Sequence, residues 1–319
     1  MLKDILDYYR VPGPVTSLEA HKEFTDTLPR DPTALYQVAQ GLIMHDLWVQ
    51  SYGVEYDKRQ EYPQQTAWMA DLLDHAIKLD RRNLLIPRAP EKRVIACCRE
   101  FATLFCALLR ACGIPARSRC GFAIYFGWGG EYEDHWVTEY WDGTGWVLAD
   151  PQLDPLQQGM ISQWVAGNQA LSEETRLRAE AFNPRRLKPG EFVPAGKAWR
   201  LCRQGKADPM RFGIGCPIRP EWGIDSLYGL WFVRGQLMRD FAALNKVETV
   251  PYLVRICKKL DWKAWRLVGA GDSELTPEDL ELLDRIAELS AESDKNHKMI
   301  CTLYEDNEDV RVPDGIITR

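Results

Sequence analysis

The chain has 319 residues, with 45% hydrophobic and 27% charged residues and a formal charge of −6. That is an ordinary globular balance with ample length for a core, and acids and bases are well mixed. No basic stripe is visible, which argues against nucleic acid as the main partner, and no apolar run approaches the ~18–20 residues of a membrane span.

The N-terminus, MLKDILDYYRVPGP, lacks an apolar leader core and breaks at Val11-Pro12-Gly13-Pro14. Nine cysteines, none spaced Cys-x-x-Cys, suit a reduced cytoplasmic protein without paired metal ligands. Thr16 with Glu19 resembles a capping box and predicts a helix to about Thr27. Asp31-Pro32 opens a second helix, whose stripe Leu35, Val38, Ala39, Leu42 and Ile43 runs on toward Trp48. His45 and Asp46 lie near its end. Adjacent residues on a helix do not face one site, so neither is assigned a role.

Residues 51–63 read as a loop. Thr66 to Leu79 reads as an amphipathic helix with His75 off its stripe. Arg81 to Arg93 is a basic connector interrupted by Pro87 and Pro90, read as a solvated or salt-bridged face rather than an anion site. From Phe101 the apolar residues Leu104, Phe105, Leu108, Leu109 and Cys112 follow helical spacing. Gly113 and Pro115 end that helix. Cys97 and Cys98 therefore sit in its first turn, where unpaired backbone N–H groups and the helix dipole favour a thiolate. The pattern does not choose between them, since both lie near the buried stripe.

Ala116 to Phe126, His135 to Trp141 and Trp146 to Asp150 read as strands, the last two joined by the turn Asp142-Gly143-Thr144-Gly145. If Trp141 lies opposite Trp146, each cross-strand pair sums to 287 and Val137 faces Asp150. His135 then projects from the same side as Asp150, roughly 7–8 Å away as a diagonal neighbour. A thiol, an imidazole and a carboxylate so ordered are the parts of a cysteine acyl-transfer site. The glycine-rich loop before His135 carries Trp128. Trp128, Trp136 and Arg117 are candidate substrate contacts, and each also has a packing or ion-pair reading.

Four ordered segments resemble the transglutaminase-like superfamily, a papain-related group of cysteine acyl transferases and hydrolases. They are Cys98-Arg99-Glu100-Phe101-Ala102, Leu109 to Arg117, His135-Trp136-Val137, and Gly145 to Pro151. The resemblance selects Cys98 as nucleophile, His135 as proton carrier and Asp150 as its orienting carboxylate. It implies an α+β fold: a catalytic helix packed on an antiparallel sheet, with helical N- and C-terminal extensions. The expected division is 1–60 as N-terminal helical extension, 61–155 as catalytic core and 156–319 as a mainly helical region packed on it. The paired cysteines of peptide N-glycanases and the calcium loops of animal transglutaminases are missing. The fit is to a small, metal-independent, bacterial-type member with no cofactor, acting on a peptide, protein or small amide. The alternative is a catalytically silent module of the same fold that binds protein.

After Asp154 the pattern predicts short helices near 160–165 and 172–181. Irregular chain follows around Pro184, Pro189 and Pro194, then helices at 223–245, 252–267 and 276–290, and a strand at 310–317. No catalytic motif is found there.

Overall fold

A computed structural model describes residues 2–55, 67–215, 226–250 and 265–314. The expected helix at 252–267 lies almost wholly outside the described residues. The chain is mixed α+β and forms two compact units. The first comprises residues 1–118, 136–167 and 181–187; the second comprises 119–135, 168–180 and 188–319.

The first half of the chain begins with α1 (Leu2–Arg10), α2 (Lys22–Thr25), α3 (Pro32–Leu42) and strand β1 (Ile43–His45). Asp31 caps α3, its carboxylate accepting from Thr33 N and Ala34 N at 3.1 Å each, with Pro32 at the first helical position. The helix expected from Thr16 is cut down to a 3-10 turn at Glu19–His21 and the single turn of α2. The Thr16 hydroxyl looks backward instead, accepting from Gly13 N at 3.0 Å and from Arg110 Nη1 at 2.7 Å. Helix α4 (Met69–Leu79) follows, then strand β2 (Val94–Ala96) and helix α5 (Cys98–Ala111). β1 and β2 pair in parallel, with His45 opposite Ala96.

Three arginines of the basic connector between α4 and β2 are engaged within the protein. Arg82 pairs with Asp80, and Arg93 lies 3.7 Å from Asp154. Buried Arg88 donates to the carbonyls of Asp80, Arg82, Asn83 and Ile86.

α5 ends as its sequence dictates. Gly113 adopts φ +74, its N–H donates to Arg110 O, and Ile114 N donates to Leu109 O. This is the paired closure of a glycine-terminated helix.

Strands β3 (Ala116–Ala123), β4 (Tyr132–Trp141) and β5 (Trp146–Ala149) come next, then α6 (Pro155–Gly167) and α7 (Glu173–Glu180). β6 (Phe192–Pro194), α8 (Ala195–Arg203), β7 (Phe212–Gly213), α9 (Leu230–Leu244), α10 (Arg266–Gly269), α11 (Pro277–Ala291) and α12 (His297–Asp306) complete the described chain. The sheet order is β5-β4-β3-β6, with β7 beside β4. β5 and β6 join antiparallel to β4 and β3, and β7 joins in parallel. The hairpin register is the one the turn predicts: Trp141 faces Trp146, Tyr140 faces Val147, Glu139 faces Leu148 and Thr138 faces Ala149. The Asp142 carboxylate fixes that turn, accepting from Thr144 N at 2.9 Å and Gly145 N at 3.0 Å.

In the first unit α5 packs on this sheet. Thr138 Oγ1 donates to Ala102 O, the Phe105 and Tyr140 rings meet edge-on, and Ala116 and Ala149 complete a core shared with α3 and α4. In the second unit Phe122, Trp199, Phe212, Leu237, Phe241 and Leu283 anchor a separate core.

Three expectations there need correction. The prolines near residue 194 do not mark irregular chain throughout, because Pro194 stands just outside α8 and Ala195, Ala198 and Trp199 form its buried stripe. Of the helix expected at 223–245, residues 223–225 lie outside the described residues, and among the rest α9 begins at Leu230, after Gly229 with φ +107. Residues 310–314 form no strand, and 315–319 are outside the described chain.

Candidate active site

Strand β2 runs straight into α5, so Cys97 becomes the cap and Cys98 the first helical residue. Glu100, third in the helix, reaches back and its Oε2 accepts from Cys97 N at 3.0 Å. This fixes the start of the helix under the thiol. Glu100 is fully buried and lies against the equally buried Arg99 at 3.3 Å, while Arg99 Nη2 donates to Ala67 O at 2.9 Å. Burial raises the Glu100 carboxyl above the ordinary value, opposed by Arg99 and by its bond to Cys97.

The two neighbouring thiols differ. A hydrogen bond to Cys98, then burial, then the charge of Glu100 push the Cys97 thiol well up. Cys97 is therefore held toward its protonated form.

The side chain that meets Cys98 is one the sequence reading set aside. His45 is not on a helix. α3 stops at Leu42, His45 ends β1, and Asp46 opens the 3-10 turn Asp46–Tyr52. The register of β1 on β2 puts His45 beside Ala96, two residues before Cys98. Its Nδ1 lies 3.1 Å from Asp46 Oδ1 and also receives Leu47 N–H at 3.2 Å. The His45 side chain is only 9% exposed. Burial alone would lower its pKa, but hydrogen bonds to Asp46 and Cys98 outweigh that and carry it up to about 9. The sequence carries little signal of this, because β1 is only three residues long and follows directly on the stripe of α3.

Asp150 is fully buried just beyond β5. Its Oδ1 accepts from Gln152 N at 2.9 Å, its carbonyl accepts from Tyr36 OH at 2.5 Å, and its N–H donates to Pro184 O at 2.7 Å. Tyr36 in turn meets Phe105 of α5 edge-on. Gln152, Gln157, Tyr52 and Asp154 continue the network: Gln152 Nε2 donates to Gln157 Oε1 at 3.1 Å, and Tyr52 OH donates to Asp154 Oδ2 at 2.7 Å.

His135 belongs to the second unit, where it is 1% exposed and meets the Phe126 and Tyr125 rings edge-on at 4.9 and 6.0 Å. Within its own unit, then, the structure brings Cys98 together with His45 and Asp46.

The candidate substrate contacts are engaged elsewhere. Arg117 Nε donates to Glu139 Oε2 at 2.5 Å, and its guanidinium lies over the Trp146 and Tyr9 rings. Trp136 is fully buried. Trp128 is 5% exposed with φ 50, and the Arg178 guanidinium lies 5.7 Å from its ring centre. Among the described residues no group of three or more His, Cys, Asp or Glu side chains is placed to hold a metal ion. No described helix is long and apolar enough to cross a membrane.

Residues 55–151 match the family model of the transglutaminase-like superfamily. No curated protein sequence matches the chain. A solved structure of a protein from Cytophaga hutchinsonii, provisionally assigned as a cysteine protease, aligns with a TM-score of 0.31 and 16% identity. The alignment covers 47% of this chain and 42% of that one. Cys98, the hairpin bearing His135, and Asp150 all fall inside the matched segment, and residues 55–151 are a transglutaminase-like segment of this α+β chain.

Proposed function

We propose that this protein is a cysteine-dependent hydrolase or acyl transferase acting on an amide bond of a peptide, protein or small molecule. The observation that carries the reading is the state of Cys98. It is the first residue of a buried fourteen-residue helix, hydrogen-bonded to an imidazole that a carboxylate holds. A thiol so placed is a nucleophile in waiting.

Cys98 Sγ attacks the substrate carbonyl and its π electrons move to oxygen. The Cys98 backbone N–H, at the first position of the helix, is one donor to that oxygen. His135 protonates the leaving amine, and a thioester remains on Cys98. Water or an amine then attacks the thioester, gives its proton to His135, and the thiolate is restored. Asp150 orients His135. The roles of His135 and Asp150 are supported by their places in the matched segment and by the β4–β5 register, in which every pair sums as the turn requires.

The test is an acyl-enzyme trap. The protein is mixed with p-nitrophenyl acetate and with a library of peptide amides, quenched in acid and mapped by mass. Acyl mass on the Cys98 peptide, with release of amine or phenol, supports the reading. Labelling confined to other residues, or equal release by Cys98→Ala, sinks it.

A further inference from the structure

His45 and His135 cannot have the same task, and their settings suggest how the work divides. His45 sits at the end of β1, anchored by the parallel register to the strand that delivers Cys98. Its Nδ1 is occupied by the Asp46 carboxylate at 3.1 Å and by Leu47 N–H at 3.2 Å, which leaves Nε2 for the thiol. A ring nitrogen cannot both donate to Asp46 and accept from Leu47. A proton on Nδ1 is directed to the carboxylate, the charge-assisted and stronger bond. Nε2 is then free to take a proton from Cys98.

We propose that His45, backed by Asp46, is the resting counter-charge of the Cys98 nucleophile: it takes the thiol proton and keeps it through the catalytic cycle, while a different imidazole carries protons to and from substrate. The consequence for turnover rests on the reading of Cys98 as nucleophile; the ion pair itself does not.

The step balances. The Cys98 S–H bond breaks, an Nε2–H bond forms on His45, and the pair becomes thiolate and imidazolium with no net change in charge. The proton on the leaving amine comes from His135, which recovers one from the attacking water, so His45 never needs to release its own. A ring held charged to about pH 9 is a poor proton carrier near neutrality and a good fixed cation.

The charged and titratable groups around the pair agree with this. The Asp46 carboxylate lies 3.1 Å from the ring Nδ1. On the α5 side, Cys97 is held protonated, and Glu100 is offset by Arg99. Within its own unit Cys98 meets the His45 ring.

The experiment is the pH profile of Cys98 alkylation by limiting iodoacetamide between pH 5 and 9, read by peptide mapping. It needs no knowledge of the substrate. Wild type should alkylate with a thiolate profile displaced well to the acid side of an ordinary thiol. His45→Gln keeps a hydrogen-bonding group without the charge and should move the profile alkaline, with about a tenfold loss of rate at pH 6 for each unit of thiol pKa gained. His135→Ala should keep the wild-type alkylation profile even as turnover disappears. A wild-type profile in folded His45→Gln, or loss of the acid-side reactivity in His135→Ala, overturns the assignment. Melting curves and near-ultraviolet circular dichroism establish folding.

If His45→Gln does not fold, the wild-type protein decides by NMR titration of the His45 ring before and after Cys98 is alkylated. A raised ring pKa that falls on alkylation supports the ion pair; an ordinary value unmoved by alkylation refutes it. Failure to find any acyl substrate would count against the proposed function alone, because the alkylation profiles stand without it.

Discussion

Thr138 Oγ1 donates to the Ala102 carbonyl at 2.8 Å, so within the first unit β4 is tied to the first turns of α5. The bond is wholly buried. Thr138→Val keeps the shape and removes the donor, and should lower the unfolding free energy by about 1 kcal/mol. Urea denaturation with an unchanged slope checks it. No measurable loss would show that the two elements are held by apolar packing alone.

The adjacent cysteines should behave oppositely. Cys97 is kept protonated by its bond to Cys98, by burial and by Glu100, and its backbone N–H donates to Glu100 Oε2. Cys97→Ala should retain most activity in the acyl-enzyme assay. Cys98→Ala, His135→Ala and Asp150→Ala should each abolish it. A dead Cys97→Ala with a live Cys98→Ala would mean that the helix starts one residue earlier in the working enzyme.

Local chemistry made part of this legible in the sequence. The Gly113 stop, the Asp31 cap and the hairpin register each depend on a few neighbouring residues, and each appears as those residues dictate. α8 was hidden because prolines read as breaks, although a proline just outside a helix costs it nothing. His45 was hidden for a deeper reason. Its meaning comes from a parallel pairing between β1 and β2, some fifty residues apart, and strands of three residues leave too short a pattern to announce a partner. The helical stripe of α3 could be extended on paper past Leu42, and doing so turned a strand-end imidazole into an unremarkable helix residue.

A buried ion pair governs the second unit. Arg119 Nε and Nη2 donate to the two oxygens of Asp240 at 2.9 Å each, and Cys120 N donates to the same carboxylate at 2.9 Å. Asp240→Ala would leave the Arg119 charge buried without its carboxylate, and should cost about 3–5 kcal/mol. The pair Arg119→Met with Asp240→Leu should recover much of that loss, since the desolvation of both charges goes with them. Equal damage in the single and double variants would show that the carboxylate matters chiefly as the acceptor for Cys120 N–H.

The pH dependence of stability can tell where the proton on His45 comes from. Its folded pKa is raised from 6.5 to about 9. Taken alone, such a group stabilises the fold fully below pH 6.5, and the contribution is lost as pH rises through 9, because the folded state binds the extra proton in that window. The slope would approach about 1.4 kcal/mol per pH unit for one proton. If the proton is taken from Cys98, however, the folded pair holds one proton between pH 6.5 and about 8.5, and so does the unfolded pair, as a free thiol and a neutral ring. Stability is then flat across that interval and falls only above about 8.5, when the unfolded thiol ionises and the folded imidazolium has yet to give up its proton. The measurement is the difference in unfolding free energy between wild type and His45→Gln from pH 6 to 10. A decline that begins above about pH 8 is the signature of a thiolate–imidazolium pair. A decline that sets in at pH 6.5 would mean that the ring is charged by solvent and that Cys98 rests as a thiol.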